Sequence, residues 1–483
     1  MPFTSLEFAI FFGIVLTLNH GLRNNPKRYL PSLAIFNVVF YALGAPKFAP
    51  LLFVVAFVNW LACRSMGPER GKLANKIIIW ACVAANLSIL AFFKYFDFIL
   101  VTLEDLGLRL HGGLFALPEI VYPAGLSFFT FQGMSLAIDK FRDPGMEKVS
   151  YVEALAFVSF FPTVLSGPIQ RFEPFMEQAG NKAPSPVDHG LAVTLILSGL
   201  FKKVALSSYL SEEVVRDVFQ MPDAFSFVGI LGAVYGYGAQ IYLDFSGYSD
   251  LAMGVGLLLG FDVGLNFKSP YLATNIRDFW RRWHVSLSTW LRDYLYFSLG
   301  GSRKGSTTLN LIVTQTLGGL WHGAHLRYLV WGLAHGILLA VTHAWFKVVK
   351  KKEALVEKTG FKSWKKTKGK RGRLKAFLGF FFTFHFVTFL WILFRADTMP
   401  QAWVIFKGIF DFSKPGEGSP LLAWIIVLLT LLGQWRGDRL KDAMTRFQRR
   451  LSVPLLSLWC AFWIIIIMRL GPRGILPFIY FQY

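Results

Sequence analysis

The sequence predicts an all-α polytopic membrane protein. Three observations carry this prediction. The composition is 54% hydrophobic and only 16% charged, where a soluble chain averages about a quarter charged. Apolar runs recur along almost the whole chain, and each helical span needs about 20 such residues to cross about 30 Å of hydrocarbon. The runs lack the alternation, in segments of about ten residues, that marks a membrane β-barrel. The mean hydropathy of +0.47 agrees.

Apolar runs fall near 6–22, 29–44, 48–65, 77–100, 122–140, 151–166, 190–206, 225–260, 308–321, 326–346, 376–395, 420–434 and 452–470. Several are too short to cross alone, and 225–260 has room for two elements, so about 11 to 13 transmembrane or re-entrant helices are expected. The first run has no basic flank before it and no small-residue cleavage site after it, so it reads as a retained span. The polar stretches between runs are only loops, and residues 1–483 read as one transmembrane domain.

Charge orients the spans. The net charge is +21; it reads as loops biased to Lys and Arg that sit on anionic headgroups, and nucleic acid is not an expected partner. Arg23, Lys27 and Arg28 follow the first run, which places the N-terminus outside. Arg64, Arg70, Lys72 and Lys76, then Lys140, Arg142 and Lys148, mark further inside loops. The basic blocks 347–375 and 436–450 continue the alternation, and the last run leaves the tail 471–483 outside. Cys63, Cys82 and Cys460 lie scattered in apolar stretches with no metal or disulfide spacing.

Within these runs polar residues stand out. "YPAGLSFFTFQGMSLAIDKFR" and "FFPTVLSGPIQRFEPF" carry Pro and Gly, and "SGPIQRF" reads as a break or re-entrant turn with Gln132, Gln170 and Arg171 as cavity groups. "AQIYLDFSGYSDLAMGVG" places Asp244 and Asp250 in an apolar segment, where a carboxylate is expensive unless paired or hydrated. Asp244 has three open roles: holding a helix break, pairing with arginines of 275–292, or lining a path.

The segment 275–305 is the densest. Arg277, Arg281, His284, Ser288 and Arg292 recur at helical spacing and predict one polar face, opposite Trp283, Leu287, Trp290 and Tyr294. Such a helix either lies in the interface with snorkelling arginines or presents them to a phosphate-bearing anion. The cofactor-binding set is Arg277, Arg281, Arg282, Trp283 and Arg292, and Asp278 can pair with Arg282 at i,i+4 in either case.

"GGLWHGAHLRYLVWG" ends a short run. Leu309 to Trp321 spans about 20 Å of helix and starts beside the basic Arg303 and Lys304, so it stops before the far face. His322 then lies within the bilayer at an interrupted helix, where an ionisable group is a functional candidate. No Cys, Asp or Glu accompanies the histidines, so neither a metal nor a tightly bound cofactor is expected, and no GxSxG elbow supports a serine hydrolase. A neutral imidazole that takes a hydroxyl proton during attack on a thioester fits best. His325 and His335 read as cavity or packing groups.

At this point "FWRRWHVSLSTWLRDYLY" followed by "LGGLWHGAHLRYLVWGLAHG" resembles the membrane-bound O-acyltransferase family. The resemblance is closest to its bacterial alginate O-acetyltransferase branch, beside D-alanyl transferases of teichoic acids and peptidoglycan O-acetyltransferases. "YPAGLSFFTFQ", "FFPTVLSGPIQRF" and "IYLDFSGYSDLAMGVGLLLG" follow the same branch in the same order.

The resemblance implies a ring of helices around a funnelled core with a tunnel, and a catalytic core over about 120–346. It implies that His322 is the essential histidine and His284 the other motif histidine, with Gln170, Asp244, Ser288 and Trp321 lining the tunnel. It implies acetyl-CoA as the donor from the cytoplasm, and a periplasmic or membrane-anchored polysaccharide acetyltransferase as partner at the bacterial inner membrane. The tail "PFIYFQY" resembles an aromatic C-terminal motif in which a tyrosine, here Tyr480, relays the acyl group; the alternative is an interface anchor. Rival readings are D-alanyl or peptidoglycan O-acyl transfer, a transporter, and a scaffold of a polysaccharide export complex.

Overall fold

The computed structural model describes residues 1–105, 121–180, 187–358, 370–413 and 415–471. Among them the regular structure is helical, apart from one isolated bridge between Phe225 and Glu417. Seven described helices are long and apolar enough to cross a membrane: Pro46–Ser65, Lys72–Phe96, His189–Gln220, Leu326–Val349, Gly372–Arg395, Leu421–Gln448 and Val453–Leu470. The shorter Leu6–Leu22 helix is also apolar. The expected class, an all-α polytopic membrane protein, is the one observed.

The chain forms two compact units. The first comprises residues 1–198 and 248–264. Its centre is the Leu126–Arg142 helix, buried almost all round, as expected for a helix without a polar stripe. Gly133 lets Asn59 approach it: a Cβ there would stand 2.6 Å from the Asn59 amide nitrogen. Asn59 and Asn86 exchange side-chain amide bonds of 3.0 and 3.2 Å, so these buried amides have partners in an apolar setting.

The Tyr151–Val158 helix starts at a capping box made by Ser150 and Glu153. Beyond it, residues 159–171 are non-helical, which is the break read from "SGPIQRF". Arg23, 7% exposed, donates to the Leu259 and Gly260 carbonyls and to Gln178 O. It caps the end of the Phe227–Leu258 helix, where orphan carbonyls need donors.

The second unit comprises residues 199–247 and the described chain from 265 onward. The run 225–260, long enough for two elements, is a single 32-residue helix, Phe227–Leu258. The Thr307–His322 helix has 16 residues, about 24 Å, and ends where the sequence places its end. It packs closely against the Leu326–Lys358 helix through glycines. A Cβ on Gly332 would stand 2.5 Å from the Gln315 carbonyl, and one on Gly319 would stand 2.9 Å from the Gly332 Cα. Small residues of this kind let membrane helices touch backbone to backbone.

The segment 275–305 departs from the expected single amphipathic helix. It forms two short helices, Ile276–Trp280 and Val285–Trp290, followed by a wide π-type turn over Leu291–Tyr296. The break falls at His284, whose φ of 44° is left-handed, a conformation that costs a residue with a Cβ. The neighbouring non-helical segment around Asn266 holds the break: Val285 N donates to Asn266 O at 3.0 Å, Lys268 N to Arg282 O at 2.9 Å, and Ser286 Oγ to Asn266 Oδ1 at 2.7 Å. His284 therefore shares no continuous helical face with Arg277 and Arg281.

Candidate active site around His322 and His284

The site is built within the second unit. Gly323 follows His322 in extended conformation, with φ −174° and ψ 159°, and ends the helix. A Cβ on Gly323 would meet the Tyr328 ring at 2.2 Å, so only glycine lets the chain turn back this tightly. His322 is left at the helix end, 7% exposed.

Three rings face the His322 imidazole at centroid distances of 4.8 Å (Trp321), 4.9 Å (Phe394) and 5.3 Å (Trp331), all at steep angles. Trp331 and Phe394 are themselves 5.2 Å apart, and Trp391 stacks on Trp331 at 5.6 Å. This aromatic wall is apolar around the edge of a titratable ring.

His284 reaches the same cluster from the broken segment. It is 1% exposed, with the Phe245 ring at 4.6 Å and the Trp321 ring at 6.2 Å. Trp321 thus touches both histidines. Phe245 follows Asp244, whose carboxylate is paired with Lys203 at 2.5 Å in a buried site. Lys203 sits on a π-type helical stretch, Phe201–Ser207, and was absent from the sequence reading because it lies 41 residues away in an unremarkable apolar run.

The other expected residues divide. Arg277 and Arg281, with Asn275, Asp278 and Phe346, line an open cavity of about 270 Å³. Arg282 pairs with Asp278 at 2.9 Å, as its i,i+4 spacing predicts. Arg292 lies outside that cavity lining and pairs with Asp293 at 2.7 Å.

Trp283 needs a correction. Grouped above with the cofactor-binding residues, though on the opposite, apolar face, it is packed in the core, 1% exposed, against Phe279, Phe267 and Trp391 at 5.0 to 5.6 Å. Ser288 donates to the Trp283 carbonyl at 3.1 Å. Gln170 belongs to the first unit, where its amide donates to Pro168 O and Val263 O at 2.9 and 2.8 Å. Tyr480 lies outside the described residues.

Beside the site, His325 is exposed in the turn before the next helix. Partial burial, and then the Arg327 charge, hold its imidazole below the ordinary value. Sequence reasoning missed Trp331 and Phe394 as site residues. Only their recurrence near "LVWG" and "WILFR" could have pointed to them, and aromatic residues are too common in this chain for that signal to be specific.

With this geometry in hand, similarity to known proteins becomes informative. The sequence profile described as MBOAT, the membrane-bound O-acyltransferase family, matches residues 140–389, a range that holds both histidines. The chain is 35% identical over 417 residues to a probable alginate O-acetylase of Pseudomonas aeruginosa, covering 85% of this chain and 75% of that one. It is 30% identical to a probable alginate O-acetylase of Azotobacter vinelandii over the full length of both. A peptidoglycan O-acetyltransferase of Helicobacter pylori is 31% identical, with 80% of this chain and 73% of that one covered.

Proposed function

Because this chain belongs to the membrane-bound O-acyltransferase family, we propose that it passes acetyl groups from a cytoplasmic thioester, acetyl-CoA, to an extracytoplasmic polysaccharide-modifying system at the bacterial inner membrane. That it is an O-acyltransferase and a multi-pass membrane protein follows from the family and the apolar helices. One observation carries the mechanism. Two histidines meet on one indole, Trp321, at the end of a helix that stops after 16 residues.

His322 is the general base in this reading. Its imidazole nitrogen takes the proton of the acceptor hydroxyl as that oxygen bonds to the thioester carbonyl carbon. The tetrahedral adduct collapses with cleavage of the carbon–sulfur bond, and the imidazolium returns the proton to the leaving thiolate. CoA leaves as the free thiol and the acceptor as an ester. The apolar wall of Trp321, Trp331 and Phe394 keeps bulk water from the thioester. His284, held in its strained conformation across Trp321, positions the reacting groups.

Positive-inside bias supports the sidedness. The Thr307–His322 helix starts beside Arg303 and Lys304, and the Leu326–Lys358 helix runs back into the basic block. Arg277 and Arg281 line their cavity with Phe346, near that basic end of the helix, and suit the phosphates of the donor. Both termini then face the periplasm. Tyr480 serves as an acyl relay on the outer side, for which its phenol needs a base such as His322 within reach. A partner acetyltransferase takes the group onward. The polymer is of the alginate type, by the names of the relatives; peptidoglycan is the second choice, by the 31% identity to the Helicobacter pylori enzyme.

The test is release of free CoA from acetyl-CoA by the purified chain in lipid nanodiscs, with an alginate oligosaccharide supplied as the hydroxyl acceptor. His322→Ala is expected to lower the rate by about 10²–10⁴-fold, the usual worth of a general base. Wild-type release by that variant sinks the assignment. Binding of acetyl-CoA without any release by the unaltered protein favours a transporter or scaffold.

A further inference from the structure

His335 is a fully buried imidazole of this region that has no part in the mechanism above. It is 0% exposed and boxed by four rings: Trp331 at 4.5 Å, Trp280 at 5.2 Å, Phe386 at 5.7 Å and Phe279 at 6.3 Å. Neither of its ring nitrogens has a hydrogen-bond partner among the described residues. The same holds for the indole nitrogens of Trp280, 8% exposed, and Trp331, 1% exposed. Three adjacent side chains thus bury four polar atoms without partners. Native interiors seldom leave one such group unmet, and a cluster calls for an occupant.

Position says which occupant. Trp331 touches His335 on one side and His322 on the other, at 4.5 and 5.3 Å. Trp280 touches His335, and it lies on the short Ile276–Trp280 helix beside Arg277 and Arg281, which line the cavity with Phe346. Phe346 stands about 16 Å beyond His335 along its helix. The three side chains therefore lie between the arginine-lined cavity and His322.

A CoA thioester bound with its phosphates at those arginines and its carbonyl at His322 has to thread its pantetheine arm between them. That arm carries two amides. An amide carbonyl accepts from an indole N–H, and an amide N–H donates to the bare nitrogen of a neutral imidazole, so the unpartnered set matches an amide.

We propose that His335, with the Trp280 and Trp331 indoles, forms a hydrogen-bonding station for the amides of the donor's pantetheine arm. The inference rests on the reading of a CoA thioester as donor. It makes His335 a substrate-binding residue with no role in proton transfer.

The test compares thioesters that differ in amides, using the full chain in lipid nanodiscs and thiol release as the readout. S-acetyl-N-acetylcysteamine keeps one amide and S-ethyl thioacetate has none. The unaltered protein is expected to favour the first over the second in kcat/KM by about tenfold, the worth of one net hydrogen bond. In His335→Phe that preference falls to near unity while turnover of S-ethyl thioacetate holds. His335→Gln, which keeps a donor and an acceptor, retains part of the preference. Trp280→Phe gives an independent second reading, removing the indole N–H while leaving an aromatic ring.

Equal loss with both donors in His335→Phe and Trp280→Phe means packing alone and overturns the station, as does an unchanged preference in both. The control His322→Ala separates the two claims. If it releases thiol at the wild-type rate, the base assignment fails, while the donor preference still decides the station.

Discussion

His284 joins backbone and chemistry in one residue. Its φ of 44° is a conformation that glycine adopts freely and that costs other residues about 1–2 kcal/mol. A residue kept there against its preference points to a use for its side chain. His284→Gly and His284→Ala both remove the imidazole, but only glycine relieves the backbone. Thermal unfolding in detergent is expected to rank the Gly variant above the Ala variant by about 1 kcal/mol, with CoA release reduced in both. The reverse ranking refutes the strain, and full activity in the Ala variant removes His284 from the site. At this scale the sequence was partly legible. His322 could be singled out because a short apolar run ends at it, and the Asp278–Arg282 pair because its spacing is local. The Lys203–Asp244 pair could not, since it depends on where distant segments meet.

Among elements, the antiparallel pair formed by Thr307–His322 and Leu326–Lys358 sets the distance between His322 and Trp331. Glycine controls that distance. Gly332→Val places a side chain where even a Cβ would stand 2.5 Å from the Gln315 carbonyl, so the helices must separate. Overpacking of this kind costs about 1–3 kcal/mol, and the unfolding midpoint and CoA release are both expected to fall. Gly433, with nothing within 4 Å of an added Cβ inside the Leu421–Gln448 helix, is the matched control. Gly433→Ala is expected to leave activity unchanged and to hold or raise stability, since alanine is the better helix former. A Gly332→Val variant as stable as that control refutes the close-contact account. The helix end at His322 was visible in the sequence. The division of 275–305 into two helices was not, because helical spacing of Arg277, Arg281, His284, Ser288 and Arg292 describes a face whether or not the backbone stays helical. The bonds from Asn266 and Lys268 that hold the break come from residues upstream of the motif.

For the whole molecule, the proposed function depends on sidedness, since in that reading the thioester donor and the acyl acceptor reach His322 from opposite faces. Loop charge gives the sign. Ser302 is exposed in the basic turn before the Thr307–His322 helix, and Gly418 is exposed in the segment between the Gly372–Arg395 and Leu421–Gln448 spans. The positive-inside bias puts Ser302 in the cytoplasm and, after one further crossing out by Gly372–Arg395, Gly418 in the periplasm. The free thiols Cys63, Cys82 and Cys460 are first replaced by alanine, and a single cysteine is then introduced at either position. In intact spheroplasts an impermeant maleimide is expected to label Gly418→Cys and to reach Ser302→Cys only after the membrane is opened. Labelling of Ser302→Cys from outside inverts the orientation, and with it the side from which a CoA thioester could reach Arg277 and Arg281. The donor assignment would then fall even with His322 intact, because the cytoplasmic supply of CoA thioesters would face the wrong end of the site.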